Sequence, residues 1–148
     1  MQRIKIIAFT HKTTDLNDIG KLHIEESALE SRLNYLKTSL DLDELCYLST
    51  CNRVEFIVVT SASVDESFLK RFFTSFNNNW TADDVNWAVA NASVYSNEEA
   101  LCHLFNVASS LDSLVVGERE IITQVRNSYD KCSQIGVTGD VIRLAVKD

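Results

Sequence analysis

The sequence contains no proline and only four glycines in 148 residues. Flexible linkers and low-complexity segments are usually rich in these residues, so their scarcity argues against such segments, and no internal repeat is visible. The chain also lacks G-x-G-x-x-G and G-x-x-x-x-G-K stretches, the two common glycine-rich phosphate-binding turns. With 45% hydrophobic residues, the sequence predicts one folded domain over residues 1–148.

Positive charge is scarce as well. Lysine and arginine number 14 against 21 acidic residues, a net charge of −7. A protein that grips a phosphate backbone over a broad face carries the opposite excess, so a nucleic acid should be touched only locally. The apolar run at 4–9 is too short for a signal peptide, and no run could cross a membrane. We therefore expect a cytoplasmic protein without a membrane partner.

The four cysteines do not form a recognisable metal or disulfide pattern: Cys46, Cys51, Cys102 and Cys132. No sign of secretion accompanies them, no C-x2-C pair is present, and the three histidines are scattered. We expect reduced thiols and no bound metal.

Three apolar runs predict strands in the first 60 residues: 4–9, 45–48 and 54–59. The last two should form a hairpin that turns at Cys51, although Cys51-Asn52 lacks the glycine of the commonest tight turn. A leucine stripe predicts a helix between Ile24 and Leu40.

Three stretches have the spacing of a helix-capping box: Ser63 to Glu66, Thr81 to Asp84, and Ser96 to Glu99. Each predicts a helix, the first with an aromatic buried side. A short strand is expected at 93–95 and a last helix from near Glu118. The resulting order, strand, helix, strand, strand, helix, strand, predicts an α+β fold with a ferredoxin-like split βαβ sheet and additional C-terminal helices.

Cys51 is the candidate nucleophile, because a turn and the nearby cation Arg53 favour a reactive thiolate. On residue type alone, a small apolar residue at a strand end is the favoured interpretation. Arg53 could bind a carboxylate through its planar fork, or be a surface cation paired with Glu55. His103 flanks an apolar helical face, where it could act as general acid or base or be a satisfied, partly buried side chain.

A polar group surrounds the junction of the last two helices: Ser113, Glu118, Glu120 and Gln124. It could bind a polar ligand or cap and solvate the helices. The residues alone favour capping.

The stretches 48–55 (LSTCNRVE) and 111–118 (LDSLVVGE) resemble the two signature stretches of glutamyl-tRNA reductase. The stretch 8–13 resembles the family's G-x-N-H-K-T segment, and Gln124-Val125 fits its G-Q-V helix. The resemblance runs from about residue 4 to 132 and covers only the family's first domain.

This resemblance implies that Cys51 attacks the ester of glutamyl-tRNA and forms a glutamyl thioester. NADPH then releases glutamate-1-semialdehyde, on the way to 5-aminolevulinate and tetrapyrroles. The glutamyl group would be held by Thr50, Asn52 and Arg53, and Arg53 would bind the carboxylate of that group. His103 would support catalysis. Further substrate contacts would come from the second signature region: Ser113, Glu118, Arg119, Glu120 and Gln124.

The chain departs from the family at residues 117–120, where Gly-Glu-Arg-Glu replaces Gly-Glu-Pro-Gln. A carboxylate at Glu120 lacks the donor of the usual amide, and the missing proline changes how the helix begins.

The family continues with a connecting helix, a Rossmann-type NADPH domain and a helical dimerisation domain, and residues 134–148 should lead toward the first of these. The resemblance therefore implies that NADPH binds to a domain absent from this chain, which would be limited to acylation or ester hydrolysis. It also implies a homodimer formed through an absent domain and contact with the downstream aminomutase.

Two other functions remain open on the sequence. One is a non-catalytic RNA-binding module, which the acidic balance and the lack of a basic-aromatic strand pattern disfavour. The other is a thiol hydrolase with Cys51 and His103 as a pair, although the 50–55 motif does not resemble those enzymes.

Overall fold

A computed structural model describes residues 3–108 and 120–147, with side chains described over 3–104 and 126–143. The elements in chain order are β1 (Ile4–Thr10), α1 (Leu16–Ile19), a 3-10 turn (Gly20–Leu22), α2 (Glu26–Ser39), β2 (Glu44–Ser49), β3 (Arg53–Val59), α3 (Glu66–Phe76), α4 (Ala82–Asn91), β4 (Ser93–Ser96), α5 (Glu98–Ala108), α6 (Glu120–Ile135) and α7 (Asp140–Lys147).

The four strands form one sheet in the order β2-β3-β1-β4, and all neighbouring pairs are antiparallel. Since β1 and β2 both run opposite to β3, they are parallel to each other with β3 between them. This is the split βαβ arrangement, and it confirms the predicted α+β, ferredoxin-like fold. The helices α6 and α7 follow as the expected C-terminal additions.

One face of the sheet is covered by the aromatic helix α3 together with α4. Phe56 of β3 packs edge-on against Phe72 at a ring-centroid distance of 5.0 Å, and Phe9 of β1 stacks on Trp87 at 5.8 Å. The predicted aromatic side of α3 is fully buried: Phe68, Leu69, Phe72, Phe73 and Phe76. These large apolar side chains make the main hydrophobic core.

The opposite face of the sheet carries polar side chains near the end of β1 and the start of β3. Because side chains alternate along a strand, Arg53 and Glu55 share this face, and the register places Thr10 and Ala8 beside them. Helix α5 lies over this face, where the ring of His103 stacks on Tyr95 of β4 at 4.1 Å.

The outer edge of β2 is covered by α6 and the residues that follow it. The Leu45 N–H donates to the Val137 carbonyl at 2.8 Å, and the Tyr47 N–H donates to the Cys132 sulfur at 3.4 Å. An open strand edge would leave these donors available for pairing with another chain. Helix α6 therefore closes this side of the sheet.

The buried carboxylate of Glu44 caps α7 from a different part of the chain. Its Oε1 accepts from the N–H groups of Gly139 at 2.6 Å and Ile142 at 3.0 Å, and its Oε2 accepts from Val141 at 3.0 Å. The first turn of a helix leaves such donors unpaired unless a side chain or water accepts them. Glu44 thus fixes α7 to the start of β2.

The predicted capping box at Thr81 is confirmed, with reciprocal bonds between Thr81 and Asp84. The prediction for Ser63 is wrong, because Asp65 is the N-cap of α3 and accepts from the Phe68 N–H at 2.9 Å. Aspartate is as good an N-cap as serine, and it lies next to the first aromatic turn.

The prediction that Ser96 begins a capping box is also wrong. Ser96 is the last residue of β4 and pairs with Lys5, so its backbone belongs to the sheet, and α5 begins at Glu98. Asn97 makes the sharp change of direction with a left-handed φ of 57°. Asparagine tolerates that conformation better than most residues.

Replacing Glu44 with alanine should lower the free energy of unfolding by about 2–3 kcal/mol, because three backbone donors lose a charged acceptor in a buried place. Urea unfolding measures the change. Glu30 is exposed on α2, so Glu30→Ala is the matched control, with an expected change below about 0.5 kcal/mol. Equal losses in the two variants would contradict the capping role.

Candidate active site

Cys51 lies at the tip of the predicted hairpin, which the structure confirms. The register of β2 and β3 leaves Cys51 and Asn52 as a two-residue turn, closed by a 2.8 Å bond from the Thr50 N–H to the Arg53 carbonyl. The Asn52 N–H also donates to the Thr50 hydroxyl oxygen at 3.2 Å. Neither tip residue has a positive φ, so this turn does not require the glycine of the commonest hairpins.

The tip is anchored on one side and open on the other. The Asn52 carbonyl accepts from the His11 N–H at 3.2 Å, and Asn52 is buried, whereas Cys51 is an exposed free thiol. The segment after β1 therefore supports the turn and leaves the sulfur accessible. An accessible thiol on a fixed backbone suits a nucleophile, and this exposure favours that interpretation over a small apolar residue at a strand end.

Behind the turn, Glu55 links two buried nitrogenous side chains. Arg53 donates from Nη1 to Glu55 Oε2 at 2.9 Å, and Glu55 Oε1 lies 2.6 Å from Nε2 of His103. The three residues are between 1% and 5% exposed, so the pairing of Arg53 and Glu55 is buried and not at the surface. A buried charge is tolerated only when paired, and here each carboxylate oxygen has a partner.

His103 contacts both Glu55 and Tyr95. Its Nε2 faces Glu55, and its ring lies nearly parallel to that of Tyr95, with 14° between the planes. The hydrogen bond between Nε2 and the Glu55 carboxylate fixes the orientation of the ring. The residue is therefore a buried, hydrogen-bonded histidine that also borders a cleft.

That cleft has a volume of about 560 Å³ and opens between the end of β1, β4 and the start of α5. Its walls include residues from all three elements: Thr10, Lys12, Thr13, Ser93, Tyr95, Glu98 and His103. Thr10 is the register partner of Arg53, and the next residue along, His11, bonds to the turn that carries Cys51. The segment 10–13 thus joins the cleft to the nucleophile's hairpin.

The second predicted group of contacts is only partly covered by the described residues. Ser113, Glu118 and Arg119 lie outside them. Glu120 is the first residue of α6 and Gln124 the fifth, and only their backbone is described.

Sequence reasoning missed Glu55 as the centre of the buried chain and Tyr95 as the support for the histidine ring. The available signal was the strand period, because an acid two positions after Arg53 must share its face of β3. In the described part of the chain, no group of three or more His, Cys, Asp or Glu side chains is placed to hold a metal. No described helix is long and apolar enough to cross a membrane.

Replacing Glu55 with glutamine should lower the free energy of unfolding by about 3–5 kcal/mol, because the buried ion pair with Arg53 would lose its negative member. Urea unfolding again gives the value. The matched control is Glu66→Gln, which breaks a surface ion pair with Lys70 and should cost no more than about 1 kcal/mol. A loss at Glu55 as small as that at Glu66 would argue against the buried ion pair.

Comparison with known proteins places these features in a family. The family model described as "Glutamyl-tRNAGlu reductase, N-terminal domain" matches residues 7–148. The glutamyl-tRNA reductase of Macrococcus caseolyticus is 34% identical over 146 residues, covering 98% of this chain and 32% of that protein. That of Thermodesulfovibrio yellowstonii is 35% identical over 133 residues, covering 84% of this chain and 30% of that protein.

A solved structure agrees. The glutamyl-tRNA reductase from Methanopyrus kandleri matches with a TM-score of 0.74 and 25% identity, covering 99% of this chain and 32% of that one. The chain thus spans about a third of the length of these relatives. By sequence and by fold, it belongs to the family of glutamyl-tRNA reductase N-terminal domains.

Proposed function

We propose that this chain carries the acyl-transfer step of a glutamyl-tRNA reductase, with Cys51 as the nucleophile. The sulfur attacks the ester carbonyl that joins glutamate to tRNA, a carbon–sulfur bond forms, and the ester oxygen leaves with the tRNA as a hydroxyl group. The product on the protein is a glutamyl thioester. One observation carries the proposal: an exposed free thiol sits on a hairpin whose base is the buried chain of Arg53, Glu55 and His103.

The glutamyl group would be held by the turn itself, through Thr50, Asn52 and Arg53. Arg53 offers a planar, permanently charged fork that suits the substrate's carboxylate, and Glu55 fixes the fork in place. Further contacts are proposed from the second signature region: Ser113, Glu118, Arg119, Glu120 and Gln124. At Glu120, a carboxylate replaces the family's amide, so this side chain would contact the substrate as a hydrogen-bond acceptor only.

His103 is proposed to support the reaction by polarising the ester carbonyl or assisting proton transfer. Glu55 orients the ring through Nε2, and the stack on Tyr95 holds its plane. A ring fixed in this way keeps one direction, which is what a positioned acid or base requires.

The later reaction is proposed for the whole protein. NADPH would reduce the thioester to glutamate-1-semialdehyde for 5-aminolevulinate and tetrapyrrole synthesis. The whole protein would then be an oxidoreductase, and we propose that it acts in the cytoplasm. The family resemblance assigns this cofactor to a domain outside this chain.

Several proposals follow from that assignment. Residues 1–148 would be one catalytic domain, with 134–148 leading toward a connecting helix. Alone, the domain would be limited to acylation and slow hydrolysis of the ester. The whole protein would form a homodimer through a further domain and pass its product to an aminomutase. The RNA-binding module and the thiol hydrolase lose ground, since the family match covers residues 7–148.

Incubating the chain with glutamyl-tRNA labelled in its glutamate should place the label on the peptide that contains Cys51, located by mass spectrometry. Cys51→Ser should abolish the thioester. Cys102→Ser is the matched control, because Cys102 is the other exposed free thiol and should leave labelling intact. Equal labelling of the Cys51→Ser variant would overturn the proposal.

Replacing His103 with alanine should slow acylation by about 100-fold, the usual contribution of a positioned acid or base. Single-turnover labelling of Cys51 measures the rate, and circular dichroism establishes that the variant is folded. His23 is exposed and follows the 3-10 turn, so His23→Ala should acylate at the parent rate. An unchanged rate in His103→Ala would remove His103 from the mechanism.

A further inference from the structure

Two cysteines other than Cys51 lie close together where α6 covers the edge of β2. Cys46 and Cys132 are buried free thiols, 2% and 1% exposed, and they are 86 positions apart in the chain. The sulfur of Cys132 lies 3.4 Å from the backbone nitrogen of Tyr47, which is joined directly to Cys46. This contact brings the Cys132 sulfur within one peptide unit of Cys46.

The two thiols have different surroundings. Interaction with Cys46 lowers the pKa of Cys132, and the Tyr47 N–H and the charge of Lys131 act in the same direction against the effect of burial. Interaction with Cys132 and burial raise the pKa of Cys46 well above its ordinary value. The lowered pKa of Cys132 favours its thiolate, whereas the raised pKa of Cys46 favours the protonated thiol.

Cys132 also lines a cavity of about 390 Å³ between α2, β2 and α6. Lys131 and Glu26, which pair with each other, line the same cavity, as does Ser49. The space is large enough for a small polar oxidant, and the ion pair of Lys131 and Glu26 makes part of its wall polar. The cavity does not include the thiol of Cys51.

We propose that Cys132 and Cys46 form a redox-active dithiol, a modification site separate from Cys51 whose oxidant is a hydroperoxide. The Cys132 thiolate attacks one peroxide oxygen, so that a sulfur–oxygen bond forms, the oxygen–oxygen bond breaks and the leaving oxygen takes a proton. The Cys46 sulfur then attacks the Cys132 sulfur. A disulfide forms, the sulfur–oxygen bond breaks, and the hydroxyl leaves as water with the Cys46 proton.

In total the two thiols lose two electrons and two protons, and the peroxide is reduced by two electrons. The product is a disulfide that links β2 and α6 covalently. In the reduced protein, the Cys132 sulfur only accepts a hydrogen bond from β2. A thiol reductant reverses the oxidation. This inference does not depend on the acyl-transfer proposal, because neither cysteine belongs to that site.

The test uses the Cys51→Ser, Cys102→Ser double variant, which keeps only the two buried thiols. After treatment of the folded chain with hydrogen peroxide, both remaining thiols should disappear from a thiol titration. Digestion without reduction should yield one disulfide-linked peptide pair, Cys46 with Cys132, and dithiothreitol should restore both thiols. If the thiols persist, or if they become sulfinic or sulfonic acids without a disulfide, the proposal fails.

Two comparisons separate geometry from simple reactivity. In the parent chain, the Cys46–Cys132 pair should dominate over all other pairs when the protein is folded, and pairs should become mixed in urea. In Cys46→Ala, dimedone should trap a sulfenic acid at Cys132, since the resolving thiol is gone. Equal pairing in folded and urea-treated parent chain would overturn the proposal without requiring any variant to fold.

Discussion

The face of the sheet that carries the candidate site depends on the two contacts made by the buried carboxylate of Glu55. It pairs with Arg53 on its own strand and with His103 on α5, so one side chain fixes both the base of the Cys51 hairpin and the helix above it. Removing the Glu55 carboxylate would break both contacts at once. The same pairing therefore supports stability and holds the groups that the proposed chemistry needs.

Local patterns in the sequence were enough to predict the sheet and the aromatic helix, because strand and helix periods are properties of neighbouring residues. Long-range pairings were beyond those patterns. Glu44 caps α7 across 95 to 98 positions, and Glu55 reaches His103 across 48. The local sequence around Glu44 and Glu55 does not indicate these partners. Its one signal is an acidic residue inside an apolar strand. The capping-box predictions at Ser63 and Ser96 failed for different reasons. Asp65 caps α3 in place of Ser63, and Ser96 is paired in the sheet.

The free thiols illustrate how position decides the chemistry of one residue type. Cys51 is exposed to solvent because it lies on a turn. Cys46 on β2 and Cys132 on α6 are buried where these two elements meet, and each shifts the pKa of the other. The sheet edge at β2 explains the second case, because closing that edge required a partner for the Tyr47 N–H, and a sulfur supplies it. One helix thus serves as a cover for the sheet and as a carrier of a thiol.

The aromatic layer has a consequence for how this protein is observed. Both tryptophans of the chain, Trp80 and Trp87, stack within the layer beside α3, against Phe73 and Phe9. Intrinsic fluorescence will therefore sense the solvent exposure of that layer, on the face of the sheet opposite Glu55 and His103. Events confined to the cleft or to the Cys51 turn are expected to be silent in tryptophan emission, and a shift in emission will mark the opening of the core itself.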